Sequence, residues 1–240
     1  VGGAETMLAE LLSETRELPD VESLVVSMTD IGAIGERIQD LGISVVALGM
    51  RSGWPDPRGF FRLSTLVQDW KPTIIQTWLH HADLLGGVTA WWTKAPVVWG
   101  VHFSGSPHQS AAWHRRLSMH LSGLISYSIP AKIICCSETA SHEHEEAGYS
   151  GEKLTVIPNG VDTGRFVFSE EVRNEVRRQY GIPEESFVVG IPARLNPVKD
   201  HNNFFRAAEK MLQTHPDTHF ILCGSGLVRE NPELRKFEKY

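Results

Sequence analysis

Residues 187–201 read FVVGIPARLNPVKDH. A short β-branched run at 187–191 gives way to Pro192 and a polar loop, and a helical pattern bearing Phe204, Ala208, Met211 and Leu212 follows from residue 202. Strand, loop and helix in that order make one βα unit of a parallel sheet. The loop sets Arg194 and Lys199 at the carboxyl end of the strand, above a helix start that carries about half a positive charge. Open parallel sheets bind their ligands at this edge. Arg grips a phosphate through two parallel hydrogen bonds and Lys acts as a mobile point charge, so the pair suits a diphosphate. Taken alone, solvated surface charge is the plainer account of the loop.

The same alternation runs through the rest of the chain. Strands are expected at 23–28, 43–48, 73–77, 96–101, 132–136, 154–157 and 219–223, with helices near 34–41, 58–70, 82–93, 108–127, 138–147 and 170–180. Ala4, Met7, Leu8, Leu11 and Leu12 repeat at helical spacing and open directly from Gly2-Gly3. The class is α/β. A polar, charged stretch from Glu170 to Glu185, with a stop at Gly181-Ile182-Pro183, separates an expected Rossmann-like domain at 1–162 from a second βα series at 163–240.

Composition narrows the classes. A hydrophobic share of 41% and a charged share of 22% fit a globular protein. No apolar run approaches the roughly 20 residues that cross a bilayer. A net charge of -6 argues against nucleic acid as a partner. Cys135, Cys136 and Cys223 are odd in number, and the adjacent pair sits in an apolar run, which suits buried thiols in a reducing cytosol. The chain opens on Val1 with no charged-then-apolar leader, and a cytoplasmic location is expected.

Several further segments lie at strand ends. Gly2-Gly3 precedes a helix and lets another group approach the backbone, or simply packs a tight turn. His102 follows the strand at 96–101, and His80 and His81 follow the one before it. Each can meet sugar hydroxyls or developing charge, or be a satisfied core histidine. Cys223-Gly224-Ser225-Gly226 is a second glycine-rich turn able to lie beside the Arg194 loop, and the full GxGxxG pattern of a nicotinamide enzyme does not occur. Ile157-Pro158-Asn159-Gly160-Val161-Asp162 reads as a structural corner at the domain junction. His142-Glu143-His144-Glu145-Glu146 lacks metal-site spacing and reads as solvated surface; with no Asp-x-Asp pair, no metal is expected. His114-Arg115-Arg116 heads a helix with Leu117, Leu121, Leu124 and Ile125. Peripheral membrane contact is one reading of it, and an amphipathic helix with a merely wet basic face is the other.

Taken in order, GGAE at 2–5, His102, IPNGVD at 157–162, ARLNPVKDH at 193–201 and CGSG at 223–226 resemble family 4 retaining glycosyltransferases over nearly the whole chain. The resemblance implies a GT-B-like fold, two Rossmann-like domains facing across a cleft, an acceptor-side domain and a nucleotide-sugar-binding domain. It implies that Gly2, Gly3, Arg194, Lys199 and Gly224 bind the donor, with the two cations neutralising its diphosphate, and that His102 acts near the transferred sugar. His80 and His81 fall on the acceptor side. The implied reaction moves a sugar from a nucleotide-sugar donor to a glycan or lipid-linked acceptor, with retention and without a metal, at the cytosolic face of a membrane.

Two departures accompany the likeness. Ala193 stands where the family has glycine before its Arg, and the family's E-x7-E segment is absent. The chain is therefore expected to be a fragment inactive by itself, lacking the first strand of one domain and much of the other. A sugar-nucleotide epimerase of the same fold and a non-catalytic nucleotide-sugar-binding module are the rival readings.

Overall fold

A computed structural model gives the fold and describes residues 2–51, 56–102, 113–228, 231 and 234, with 113–115 described by backbone alone. Two units divide the chain, Val1–Val161 and Asp162–Tyr240. In the first, α1 (Gly3–Thr15), β1 (Leu24–Ser27), α2 (Gly32–Asp40), β2 (Ser44–Ala47), α3 (Pro57–Trp70) and β3 (Ile75–Trp78) alternate. They are followed by α4 (His80–Thr93), β4 (Val97–Val101), α5 (Trp113–Ser126), β5 (Lys132–Cys135), α6 (Glu138–Glu146) and β6 (Leu154–Val156). The second unit holds α7 (Glu170–Tyr180), β7 (Val188–Pro192), α8 (His201–Thr214) and β8 (His219–Cys223).

Every described strand pair is parallel, as crossover helices require. The strands form a sheet β3-β4-β5-β6 and the pairs β1-β2 and β7-β8. Val97, Trp99, Val101, Ile133 and Cys135 fill the four-stranded sheet's core, backed by Ala90, Ala140 and Tyr149. These strands read as near-continuous apolar runs because helices cover them. A separate core of Ala9, Leu12, Ile38 and Ile43 joins α1 and α2 to the β1-β2 pair.

The strands of the first unit form two sheets rather than one. β1 and β3 do not pair, and a cavity of about 670 Å³ lies between them, lined by Leu8, Leu12, Val26, Ile34, Ile74 and Gln76 among others. No residue of β1 is fully buried, although Val25 packs against the α1-α2 core. A strand lying between β1 and β3 would pair both edges and join the two sheets into one.

Two other readings change. His144 is buried, not solvated: its Nδ1 meets the Ala140 carbonyl at 2.8 Å and its ring packs edge-on to Tyr149. Helix periodicity turned one residue of the charged run inward, so the segment holds one core face and one wet face. The expected start of α5 near 108 lies outside the described residues, as do the side chains of His114 and Arg115. The described part of α5 turns Leu117, Leu121 and Leu124 outward beside Arg116, while Ser118, Ser122 and Ser126 are buried. Met119 is buried and Ile125 packs on the core, so the helix carries apolar residues on both faces.

Candidate functional site

At the carboxyl edge of the four-stranded sheet, the ends of β3 and β4 bring His102, expected from the sequence, against Trp78. Trp78 is in register with Gly100, and His102 follows Val101. The Trp78 and His102 rings stack, with centroids 4.2 Å apart. Gly100 makes the approach feasible: a Cβ there would sit 2.7 Å from the Thr77 carbonyl oxygen and 3.3 Å from His102 Nε2. Burial lowers the pKa of His102, partly offset by the side chain of Asn159, so the ring is neutral near pH 7. Its Nδ1 is buried without a direct hydrogen-bond partner. A ring nitrogen withdrawn from water in this way is suited to meet a ligand hydroxyl.

Asn159 belongs to the segment read as a structural corner. Its proximity to His102 makes the corner also part of this site's wall. No signal in the sequence gives this contact; it comes from the strand order, in which β6 lies two strands from β4 and their loops share one edge.

His80 and His81 open α4, with ring centroids 4.3 Å apart. The residue before them, Leu79, has φ 73 and ψ 153, a conformation that costs a side-chain-bearing residue about 1–3 kcal/mol. The surroundings impose it. Leu79 N–H donates to the Gly100 carbonyl at 3.0 Å, Asp83 N–H donates to the Leu79 carbonyl at 2.9 Å, and Thr77 Oγ1 donates to the Asp83 carboxyl at 2.5 Å. Asp83 is fully buried, and desolvation raises its pKa well above the usual carboxylate range. Sequence reading passed over Asp83 because an acid in a helix's first turn is ordinary. Here it anchors the turn that aims Trp78, His80 and His81.

Gly2 caps α1, and its N–H donates to the Glu5 carboxylate at 2.5 Å. A Cβ on Gly3 would meet nothing within 4 Å, so the backbone is open to a ligand on that side.

The second unit assembles the other expected cluster. The Arg194 loop and the 223–226 turn touch at the carboxyl ends of β7 and β8, where Leu195 N–H donates to the Ser225 carbonyl at 2.9 Å. Gly224 has φ 159, and a Cβ on it would sit 2.4 Å from the Ala193 carbonyl oxygen and 2.7 Å from the Arg194 nitrogen. Only glycine permits that contact. Asn196 caps a short helical turn, accepting from Val198 N–H at 3.0 Å, and Asp200 caps α8, accepting from Asn203 N–H at 3.2 Å. Lys199 lies between these two caps, and it and Arg194 are exposed. Two fixed turns thus carry the two cations to the wet edge of the pair. His201, not singled out from sequence, is buried beneath them, and its Nε2 lies 3.3 Å from the Ala193 carbonyl.

Among the described residues no group of three or more His, Cys, Asp or Glu could hold a metal ion. The three cysteines form no disulfide. No described helix is long and apolar enough to cross a membrane.

Known proteins resemble this chain in sequence and in fold. The chain is 26% identical over 178 residues to UDP-Gal:alpha-D-GlcNAc-diphosphoundecaprenol alpha-1,3-galactosyltransferase of Escherichia coli, covering 71% of this chain and 45% of that protein. It superposes on Anabaena HepE, crystallised with UDP, with a TM-score of 0.82 and 22% identity, over 99% of this chain and 62% of the other. The UDP-GlcNAc 2-epimerase of Neisseria meningitidis, bound to UDP-GlcNAc, is similar at a TM-score of 0.63 and 12% identity, over 97% and 64%. The chain thus spans less than two-thirds of each, and its fold is of the GT-B type. Fold alone groups transferases with epimerases. The sequence separates them: residues 1–165 match the model of Glycosyltransferase Family 4, and the chain belongs to that family.

Proposed function

We propose that the chain serves the transfer of a hexose from a nucleotide-sugar donor to a lipid-linked or glycan acceptor, with retention of the anomeric configuration. The observation that carries this reading is the close contact of Gly224 with the 193–194 peptide, which joins the Arg194 loop to the glycine turn. As the bond from the anomeric carbon to the diphosphate breaks, negative charge builds on the leaving group. Arg194 and Lys199 face that charge from a preorganised loop, which stabilises the transition state more than the ground state. Gly3 leaves room for the donor at α1, and neutral His102 bonds a hydroxyl of the transferred sugar. His80 and His81 stand on the acceptor side. The two cations serve the leaving diphosphate in place of a metal.

The lipid-linked acceptor is favoured by the relative from Escherichia coli, whose named substrate carries diphosphoundecaprenol. Contact with the cytoplasmic face of a membrane belongs to the same reading. Residues 1–162 supply the acceptor side along with Gly3 and His102, and residues 163–240 supply the cations for the nucleotide sugar. The 240 residues by themselves are not expected to turn over. The cavity between β1 and β3 leaves two sheet edges unpaired, and the described part of the second unit has two strands, neither with a fully buried residue.

Product analysis with a labelled nucleotide sugar tests the proposal. A chain extended to the length of its relatives should yield labelled glycan or glycolipid with the donor's anomeric configuration. An isomerised nucleotide sugar would support the epimerase reading, and saturable binding without turnover a binding module.

A further inference from the structure

We infer that His201 is a positioning residue for Arg194: its ring holds the Ala193 carbonyl from below and so fixes the peptide from which Arg194 leaves β7. The consequence for transfer rests on the proposed contact of Arg194 with the leaving diphosphate. The consequence for the loop does not.

His201 is the first residue of α8, where a polar side chain is ordinarily wet, yet it is only 5% exposed. Two features turn it inward. Asp200, at φ 48 and ψ 51, bends the chain sharply and caps the helix, accepting from Asn203 N–H at 3.2 Å. Helical spacing then sets His201, Phe204 and Ala208 on one stripe, at i, i+3 and i+7. Phe204 packs edge-on to Phe220 of β8, and Ala208 is buried, so the stripe faces the β7-β8 pair. His201 is the polar residue at its upper end, beneath the carboxyl edge where the Arg194 loop begins.

The peptide between Ala193 and Arg194 is held on two sides. A Cβ on Gly224 would lie 2.4 Å from the Ala193 oxygen, 2.5 Å from its carbonyl carbon and 2.7 Å from the Arg194 nitrogen. Nearly equal distances to three atoms of one peptide place Gly224 over its flat face. His201 Nε2, 3.3 Å from the same oxygen, meets its edge. The neighbouring peptides are tied as well, because Ala193 N–H donates to the Ile191 carbonyl at 3.1 Å and Leu195 N–H to the Ser225 carbonyl at 2.9 Å. A planar peptide fixed at a face and an edge cannot turn, and the Cα that follows it leaves in one direction. Arg194 is thereby aimed before any ligand arrives, which is what stabilising a developing charge requires.

The contact also sets the tautomer. A carbonyl oxygen only accepts, so the nitrogen facing Ala193 carries the proton, and Nδ1, buried without a hydrogen-bond partner, is the bare one. Glutamine can place an amide donor at the reach of Nε2, asparagine stops at the reach of Nδ1, and leucine fills the space with no donor at all.

Two measurements on the 240-residue chain need neither donor nor acceptor. Nitrogen-15 NMR of the imidazole rings should show His201 protonated at Nε2. The amide resonances of Arg194 and Leu195 should move in His201→Leu and His201→Asn and stay near their places in His201→Gln. In a chain extended to its relatives' length, His201→Leu should lower kcat by roughly tenfold or more, leaving the KM for acceptor unchanged, while His201→Gln stays close to wild type. In an Arg194→Ala background the leucine substitution should cost nothing further, because its effect runs through Arg194. Melting temperatures accompany each variant, and should the leucine variant melt early, His201→Asn against His201→Gln makes the same comparison between two polar side chains. A ring protonated at Nδ1 overturns the assignment, as do Arg194 and Leu195 resonances unmoved in both His201→Leu and His201→Asn, wild-type kcat in both of those variants, or a loss that persists in full without Arg194. Wild-type turnover by Arg194→Ala itself would instead dismiss the diphosphate contact, and the NMR measurements would then decide the role of His201 by themselves.

Discussion

The Trp78 and His102 rings lie face to face, their planes 10° from parallel, because β3 and β4 end in register and Gly100 leaves room between them. The stack fixes the plane in which the His102 nitrogens point. In an enzyme long enough to turn over, His102→Ala should lower transfer by about 10²- to 10³-fold, the loss typical of one preorganised polar partner. Trp78→Ala should cost less, roughly tenfold, because it frees the ring without removing it. Steady-state rates beside thermal melting check both, and equal losses in rate and stability would point to a packing role alone.

Leu79 offers the opposite trade. Leu79→Gly removes the cost of a positive φ and should raise unfolding stability or leave it level, within about 1 kcal/mol. Transfer should nevertheless fall, since the turn carrying His80 and His81 would lose its definition. Urea unfolding and turnover on the same preparation measure the two effects, and a variant both less stable and fully active would contradict this account of the turn.

Buried His144 and half-buried His102 both make stability depend on pH. Burial lowers the pKa of both His102 and His144 from 6.5. The unfolded chain therefore takes up protons first as pH falls, and stability present above about 6.5 is lost below it. For His144 the slope is at most about 1.4 kcal/mol per pH unit. Buried Asp83, with its pKa raised by desolvation, acts in the opposite sense and loses stability as pH rises, so the histidine contribution is read as a difference. In denaturant titrations between pH 5 and 8, the stability of wild type relative to His144→Gln should be level above about pH 6.5 and fall below it, and a difference that grows below pH 6.5 would refute the assignment.

The second unit makes its own prediction through Gly224. Adding a methyl 2.4 Å from the Ala193 carbonyl must separate the two loops, so Gly224→Ala should destabilise the unit by about 1–3 kcal/mol and abolish nucleotide binding. Gly226→Ala should be milder, because its added carbon would meet the Leu195 Cβ at 3.2 Å, though at φ 83. Calorimetric titration with UDP-glucose compares the two; equal affinities for wild type and Gly224→Ala would dismiss the contact as incidental.

The strands and helices were legible because parallel α/β sheets write themselves as apolar runs separated by helical spacing, from Leu24 through Cys223. The Arg194 loop was legible for the same reason, since a loop after a strand and before a helix has one place to go. What could not be read was tertiary. Nothing in a line of residues tells that Asn159 reaches toward His102, that Leu79 adopts a positive φ, or that Asp83 is the carboxyl beneath it. His144 was misread because a charged run conceals the one position that turns inward. The leucines of α5 announced an amphipathic helix, but not that its serines would take the inside.

The central claim is that Arg194 and Lys199 hold the leaving diphosphate. The most direct test measures kcat for wild type, Arg194→Ala and Lys199→Ala in a chain extended to its relatives' length, with melting temperature recorded for each. Exposed loop cations contribute little to folding, so melting should stay near wild type while kcat falls by about 10²- to 10³-fold in each variant. Wild-type kcat in either, at unchanged stability, would contradict the account.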